Sequence, residues 1–136
     1  MCDWLIEVYT DGASSGNPGK SGAGIYIKAN NTTYEYTFPL GELSNHEAEF
    51  HAVIKALEIC KESFPGEILS FRSDSKIVVD TVEKDYSKNA TFLPLLEKIR
   101  AESNHFPYVF FKWIPSKQNS HADKLARSAI QIENKD

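Results

Sequence analysis

The chain has 136 residues, 41% of them hydrophobic and 12% aromatic, with a formal net charge of −4. That length predicts a single domain over residues 1–136 that buries roughly two-thirds of its unfolded surface without staples, and the acidic balance excludes a partner held mainly by bulk attraction to phosphate. No apolar run approaches the ~20 residues of a membrane span, Met1–Trp4 lacks the regions of a signal peptide, and Cys2 and Cys60 offer neither a disulfide framework nor a Cys/His ligand spacing, so the cytoplasm is the expected location.

Trp4–Val8 reads as a buried strand, with Trp4, Ile6 and Val8 on one face and Leu5 and Tyr9 on the other, covered on both sides. It leads into a glycine-rich stretch, Tyr9–Gly19, read as a turn in which Gly12, Gly16 and Gly19 supply unusual backbone angles and Pro18 adds stiffness. Asp11 is therefore expected where the strand ends. Ala23–Lys28 reads as a second strand, Asn30-Asn31 as a tight turn and Thr32–Phe38 as a third strand closed by Pro39, which together make an antiparallel meander.

Ser44-Asn45-His46-Glu47 matches a capping box. The helix it opens carries Ala48, Ala52, Val53, Ala56, Leu57 and Cys60 on one stripe and ends near Pro65-Gly66, with Cys60 as a buried free thiol. Glu67–Ser73 is a fourth strand, and Asp74-Ser75 starts a helix through about Lys84. A polar link, Asp85–Ala90, leads to a helix around Phe92–Ser103. Phe106–Ile114 is a fifth strand and Pro115–Gln118 a short loop. The last helix starts at about Ser120, with Ala122, Leu125, Ala126 and Ala129 on one face. This order predicts an α/β fold: a mixed sheet with helices on its faces and its later strands parallel to the first.

Four carboxylates fall at element ends in this reading: Asp11, Glu49 in the first turns of the first helix, Asp74 after the fourth strand, and Asp123 in the first turn of the last helix. Strand ends and helix starts can converge at one edge of a mixed sheet. Clustered acids repel unless cations neutralise them, and hard oxygen ligands suit Mg²⁺ or Mn²⁺. Two such ions can activate a water and stabilise the leaving oxygen of a phosphodiester. Helix N-termini favour acids on their own account, which is a second explanation for Asp74 and Asp123. Glu47, two positions from Glu49, is explained by capping.

The chain resembles the type 1 ribonuclease H family over nearly its whole length. The segments that carry the resemblance are Thr10-Asp11-Gly12 with Gly16–Gly19, Ser44-Asn45 with Ala48-Glu49-Phe50, Ser73-Asp74-Ser75, Lys112-Trp113-Ile114-Pro115 and Ala122–Ala126. It implies a ribonuclease H-like fold with a five-stranded mixed sheet, three antiparallel and then parallel strands, flanked by helices. It also implies hydrolysis of the RNA strand of an RNA–DNA hybrid, leaving 3′-hydroxyl and 5′-phosphate ends. Two Mg²⁺ (or Mn²⁺) ions would be held by Asp11, Glu49, Asp74 and Asp123. Asp11 would bridge both ions, with Glu49 and Asp74 on the nucleophile-side ion and Asp123 on the other. The resemblance further places Asn17, Asn45 and the backbone around Ala13 and Ser14 against the minor groove and its 2′-hydroxyls, the feature that separates RNA from DNA.

Two departures from the family pattern stand out. The short Asp85–Ala90 link leaves no room for a basic helical protrusion, and Pro115–Asn119 lacks the histidine that many members place in a loop before the last acid. His121 is an auxiliary candidate, with a solvent-facing first-turn residue as the simpler reading. Lys76 and Lys117 are candidates for phosphate contact, while Trp113 is expected in the core. A monomer is the expected state, and hybrid binding should be weak and salt-sensitive. The rival to a hybrid nuclease is a ribonuclease H-like nucleic-acid-binding or interaction module with little or no turnover. A nuclease acting on structured RNA or single-stranded DNA is a third possibility.

Overall fold

A computed structural model describes residues 5–134; Trp4 and Cys2 lie outside them. Five strands form one sheet in the order β3-β2-β1-β4-β5. They are β1 (Leu5–Ser14), β2 (Gly19–Ala29), β3 (Thr32–Leu43), β4 (Ile68–Ser73) and β5 (Val109–Trp113). The first three form the antiparallel meander; β4 runs parallel to β1, and β5 parallel to β4. The helices are α1 (Asn45–Ser63), α2 (Lys76–Lys84), α3 (Phe92–Ser103) and α4 (Ser120–Asn134), with one 3₁₀ turn at Ser116–Asn119.

The hairpin departs from the expected layout. β1 continues to Ser14 and pairs residue for residue with β2, so Asp11 lies within a strand, opposite Gly24. The turn shrinks to residues 15–18. Among the described residues the glycines at positive φ are Gly41 and Gly66, so Gly12, Gly16 and Gly19 are not there for unusual angles. Gly12 answers a different need: a Cβ there would lie 2.3 Å from the Ala48 carbonyl carbon and 2.4 Å from the Glu49 nitrogen, both fixed backbone. α1 can cross β1 only where that atom is missing.

β3 runs on past Pro39 to Leu43, which an edge strand tolerates because its outer N–H groups have no ladder partner to lose. β5 is shorter than expected, since Phe106 leaves the strand and packs into the core. α1 is capped as its sequence predicts: Glu47 N–H donates to Ser44 Oγ at 3.2 Å, and Ser44 N–H to Glu47 Oε1 at 3.0 Å. Its buried face is wider than the expected stripe and includes Phe50 and Ile54, because both the sheet and α3 cover it.

The core lies between the sheet and α1, built from Val8, Ile25, Ile27, Phe50, Leu57, Leu69 and Phe71 among others. Each such side chain contributes roughly 1.5–3 kcal/mol when fully buried. Cys60 is buried there as a free thiol, which burial pushes up to about 12. The opposite face of the sheet is only partly covered. α4 packs on β1, β2 and β3, and Leu5 stays 45% exposed, so β1 is not sealed on both sides. Among the described residues, no helix is long and apolar enough to cross a membrane.

Candidate active site

Asp11 sits in the middle of the sheet, 6% exposed, with acids reaching it from three other elements. α1 brings Glu49, whose Oε1 accepts the Gly12 N–H at 2.9 Å. The close approach that the missing Gly12 Cβ allows also brings the Glu49 carboxylate within reach of that N–H. Asp74 follows β4, just ahead of the α2 N-cap Ser75. α4 brings Asp123 over the other face of the sheet, where a Cβ on Gly24 would lie 2.1 Å from the Ala122 carbonyl oxygen. All four acids line one cleft of about 710 Å³, together with Ala13, Ser14 and Asn45.

The electrostatics follow from this crowding. Burial pushes the Asp11 carboxyl up to about 10, and the Glu49, Asp74 and Asp123 carboxylates add to the shift. Glu49 is pushed up to about 7, again chiefly by burial, with the Gly12 N–H drawing it back and Asp74 raising it. Asp123 is partly compensated by Arg127, whose Nε lies 3.1 Å from both of its oxygens. This all-oxygen, mutually repelling donor set fits hard divalent cations. Among the described residues no three acidic, histidine or cysteine side chains are drawn tightly enough to cage an ion by themselves. The fit is to an open site whose remaining positions go to water or phosphate oxygens.

The other candidate residues are placed as follows. Asn17 and Asn45 meet at the edge of the cleft, where the Asn45 N–H donates to Asn17 Oδ1 at 3.0 Å. Ser14 lines the cleft, and its hydroxyl donates to the Leu43 carbonyl at 3.0 Å and bonds the Gly16 carbonyl. Lys76 and Lys117 are exposed, and neither lines the cleft; the Lys76 Nζ lies 5.8 Å from the Trp113 ring centroid. Trp113 is 45% exposed rather than in the core, and its indole N–H donates to the Asp74 carbonyl at 3.2 Å.

His121 turns away from the acids. Its side chain is half exposed in the first turn of α4, in line with the solvent-facing reading, and its ring stacks on Tyr26 with centroids 3.9 Å apart and pairs with Glu35. Two residues in the 3₁₀ turn escaped the sequence reading. The Ser116 hydroxyl donates to Asp74 Oδ2 at 3.1 Å, and the buried Asn119 amide donates to Asp74 Oδ1 at 2.8 Å. Both are uncharged and sit in a segment read as a loop, so no periodicity or charge pattern marked them.

Comparison with known proteins agrees with this architecture. The chain is 43% identical over 129 residues to the Enterococcus faecalis protein EbsB, covering 93% of this chain and 95% of that one. It is 32% identical over 144 residues to a ribonuclease H of Mesorhizobium japonicum, covering 92% of this chain and 77% of the relative. Among solved structures it is similar to LC11-RNase H1, recovered from compost and solved in complex with an RNA/DNA hybrid. That match has a TM-score of 0.88 at 31% identity and covers 94% of this chain and 98% of the other. The RNase H family model matches residues 5–131, and the chain belongs to the RNase H family.

Proposed function

We propose that this protein is a ribonuclease H-type endoribonuclease that hydrolyses the RNA strand of RNA–DNA hybrids with the help of two divalent cations. The observation that carries the reading is the convergence of Asp11, Glu49, Asp74 and Asp123, from four separate segments of the chain, on one cleft. The similarity to a ribonuclease H1 solved on an RNA/DNA hybrid supports the substrate class.

In this reading Asp11, Glu49, Asp74 and Asp123 would all serve as ligands to Mg²⁺ or Mn²⁺, with Asp11, 6% exposed, at the centre of the set. Bound cations would supply the charge that activates a water and stabilises the leaving oxygen. The chain's own residues prepare the ground. The Gly12 N–H orients Glu49, and Asn119 and Ser116 orient Asp74. Asn45, Asn17 and the backbone of Ala13 and Ser14 form the polar rim against which a ribose 2′-hydroxyl is read. Lys76, beside Trp113, offers a cation to a phosphate near Asp74. Attack of the water oxygen on phosphorus breaks the P–O3′ bond, leaving a 5′-phosphate and a 3′-hydroxyl.

The test is cleavage of an end-labelled hybrid with Mg²⁺ or Mn²⁺, with and without chelator. Wild type should cut the RNA strand only when metal is present, and Asp11→Asn should be inactive while folded. Metal-independent cleavage, or full activity in Asp11→Asn, would overturn the reading.

A further inference from the structure

The ladder between β1 and β4 stops two residues short of the acids. Its last pair is Tyr9 with Arg72, so Thr10-Asp11 and Ser73-Asp74 lie beyond the rungs that fix one strand against the other. The Asn119 side chain lies across this gap. It is 1% exposed, and its amide nitrogen donates to the Thr10 carbonyl at 2.9 Å and to Asp74 Oδ1 at 2.8 Å. One NH₂ group thus joins the backbone next to Asp11 to the carboxylate of Asp74. The same turn holds the second Asp74 oxygen through Ser116 at 3.1 Å.

We propose that Asn119 is a positioning residue that sets the separation of Asp11 and Asp74, and that Ser116 assists it by fixing the Asp74 carboxylate for cation binding. The inference rests on the metal-dependent reading above. Its independent support is the far side of the same amide. Asn119 Oδ1 is buried and has no hydrogen-bond partner among the described residues. A buried acceptor without a donor is destabilising, and an apolar side chain of similar size would avoid that cost. Turning the amide over would not help, because Oδ1 would then face two acceptors, Thr10 O and Asp74 Oδ1. The residue is suited to supplying two donors in this place and poorly suited to filling space.

The experiment compares wild type, Asn119→Ala and Ser116→Ala as full chains. It measures the Mg²⁺ concentration for half-maximal hybrid cleavage and, without substrate, the Mg²⁺ concentration that produces half of the metal-induced rise in melting temperature. Loss of a residue that orients a metal ligand weakens metal binding ~10–100-fold. Asn119→Ala should therefore shift both midpoints at least ~tenfold upward, with cleavage recovering at saturating Mg²⁺. The exposed Ser116→Ala should shift them about fivefold, the worth of one hydrogen bond. A purely structural Asn119 would lower the metal-free melting temperature and leave both midpoints in place, which would overturn the proposal. Should Asn119→Ala not fold, unchanged midpoints in Ser116→Ala would overturn it instead. A wild type with neither cleavage nor any response to Mg²⁺ would overturn the functional reading itself, a result distinct from active wild type with unshifted variants.

Discussion

Asp11→Asn tests the electrostatics of the cleft in the metal-free protein, apart from any activity. In the folded chain the Asp11 carboxyl is raised from 3.8 to about 10, and Glu49 from 4.5 to about 7. Between the lower and upper values the folded state keeps a proton that the unfolded state releases. The associated stability is therefore fully present below the unfolded pKa and is lost as pH rises through the folded one. For Asp11 that window spans about pH 4 to 10. Each pH unit within it removes at most ~1.4 kcal/mol per group, so three units set a ceiling of ~4 kcal/mol for Asp11. Relaxation of the cleft and water entry reduce this, and roughly 2 kcal/mol is the working figure, worth about 6–10 °C in a domain of this size.

In excess chelator, the wild-type melting temperature should fall by that amount between pH 5 and pH 8. Asp11→Asn, which keeps the shape and removes one of the two titrating groups, should make the curve shallower, with the Glu49 part remaining, and melt above wild type at pH 8. Saturating Mg²⁺ should restore wild type at pH 8 by ~2.7 kcal/mol at a hundredfold excess over its Kd, and should leave Asp11→Asn nearly unmoved. Differential scanning calorimetry or circular dichroism reads all three effects. Parallel pH profiles for the two proteins in chelator would refute the reasoning, because Asp11 would then not be the group that takes up the proton.

Three further outcomes are expected. Gly24→Ala would drive a methyl group to 2.1 Å from the Ala122 carbonyl and 2.4 Å from the Ala126 nitrogen. It should cost ~1–3 kcal/mol as overpacking and lower activity per folded molecule by lifting Asp123; calorimetry and cleavage rates read the two parts. His121→Ala should leave cleavage within about threefold of wild type, since the ring faces Tyr26 and Glu35, whereas a general acid or base would contribute ~10²–10⁴-fold. Ser44→Ala removes the hydroxyl half of the α1 capping box and should cost ~1 kcal/mol in urea unfolding, with metal dependence of cleavage unchanged.

The elements were legible where one local signal decides them. The Ser44–Glu47 box fixes the start of α1, and the β4-to-β5 alternation fixes the parallel half of the sheet. Asp11 and its glycines were misread because glycine carries two meanings. Turn propensity and close approach look identical in sequence, and only the position of α1 shows that Gly12 serves the second. Trp113 was misplaced for a related reason: composition favours burying an indole, whereas here, at the end of β5, its N–H donates to the carbonyl of Asp74, just past β4. Asn119 left no trace, since an uncharged residue in a four-residue turn has neither period nor charge. Its role arises only when β1 and β4 are adjacent.

These positions give one account of how an acidic chain assembles four carboxylates that repel one another. Asp11 is fixed by the sheet, in register with Gly24. The absent Cβ of Gly12 lets α1 approach on one side, bringing Glu49, and the absent Cβ of Gly24 lets α4 approach on the other, bringing Asp123. Asp74 cannot be brought in that way, because it follows a strand that lies beside β1 in the same sheet. Its placement falls to a side chain, and Asn119 supplies it. Two missing methyl groups and one amide thus hold together what electrostatics would push apart. The raised Asp11 carboxyl, due first to burial and then to its three acidic neighbours, reflects the cost of ionising this cleft, which a divalent cation would offset on binding.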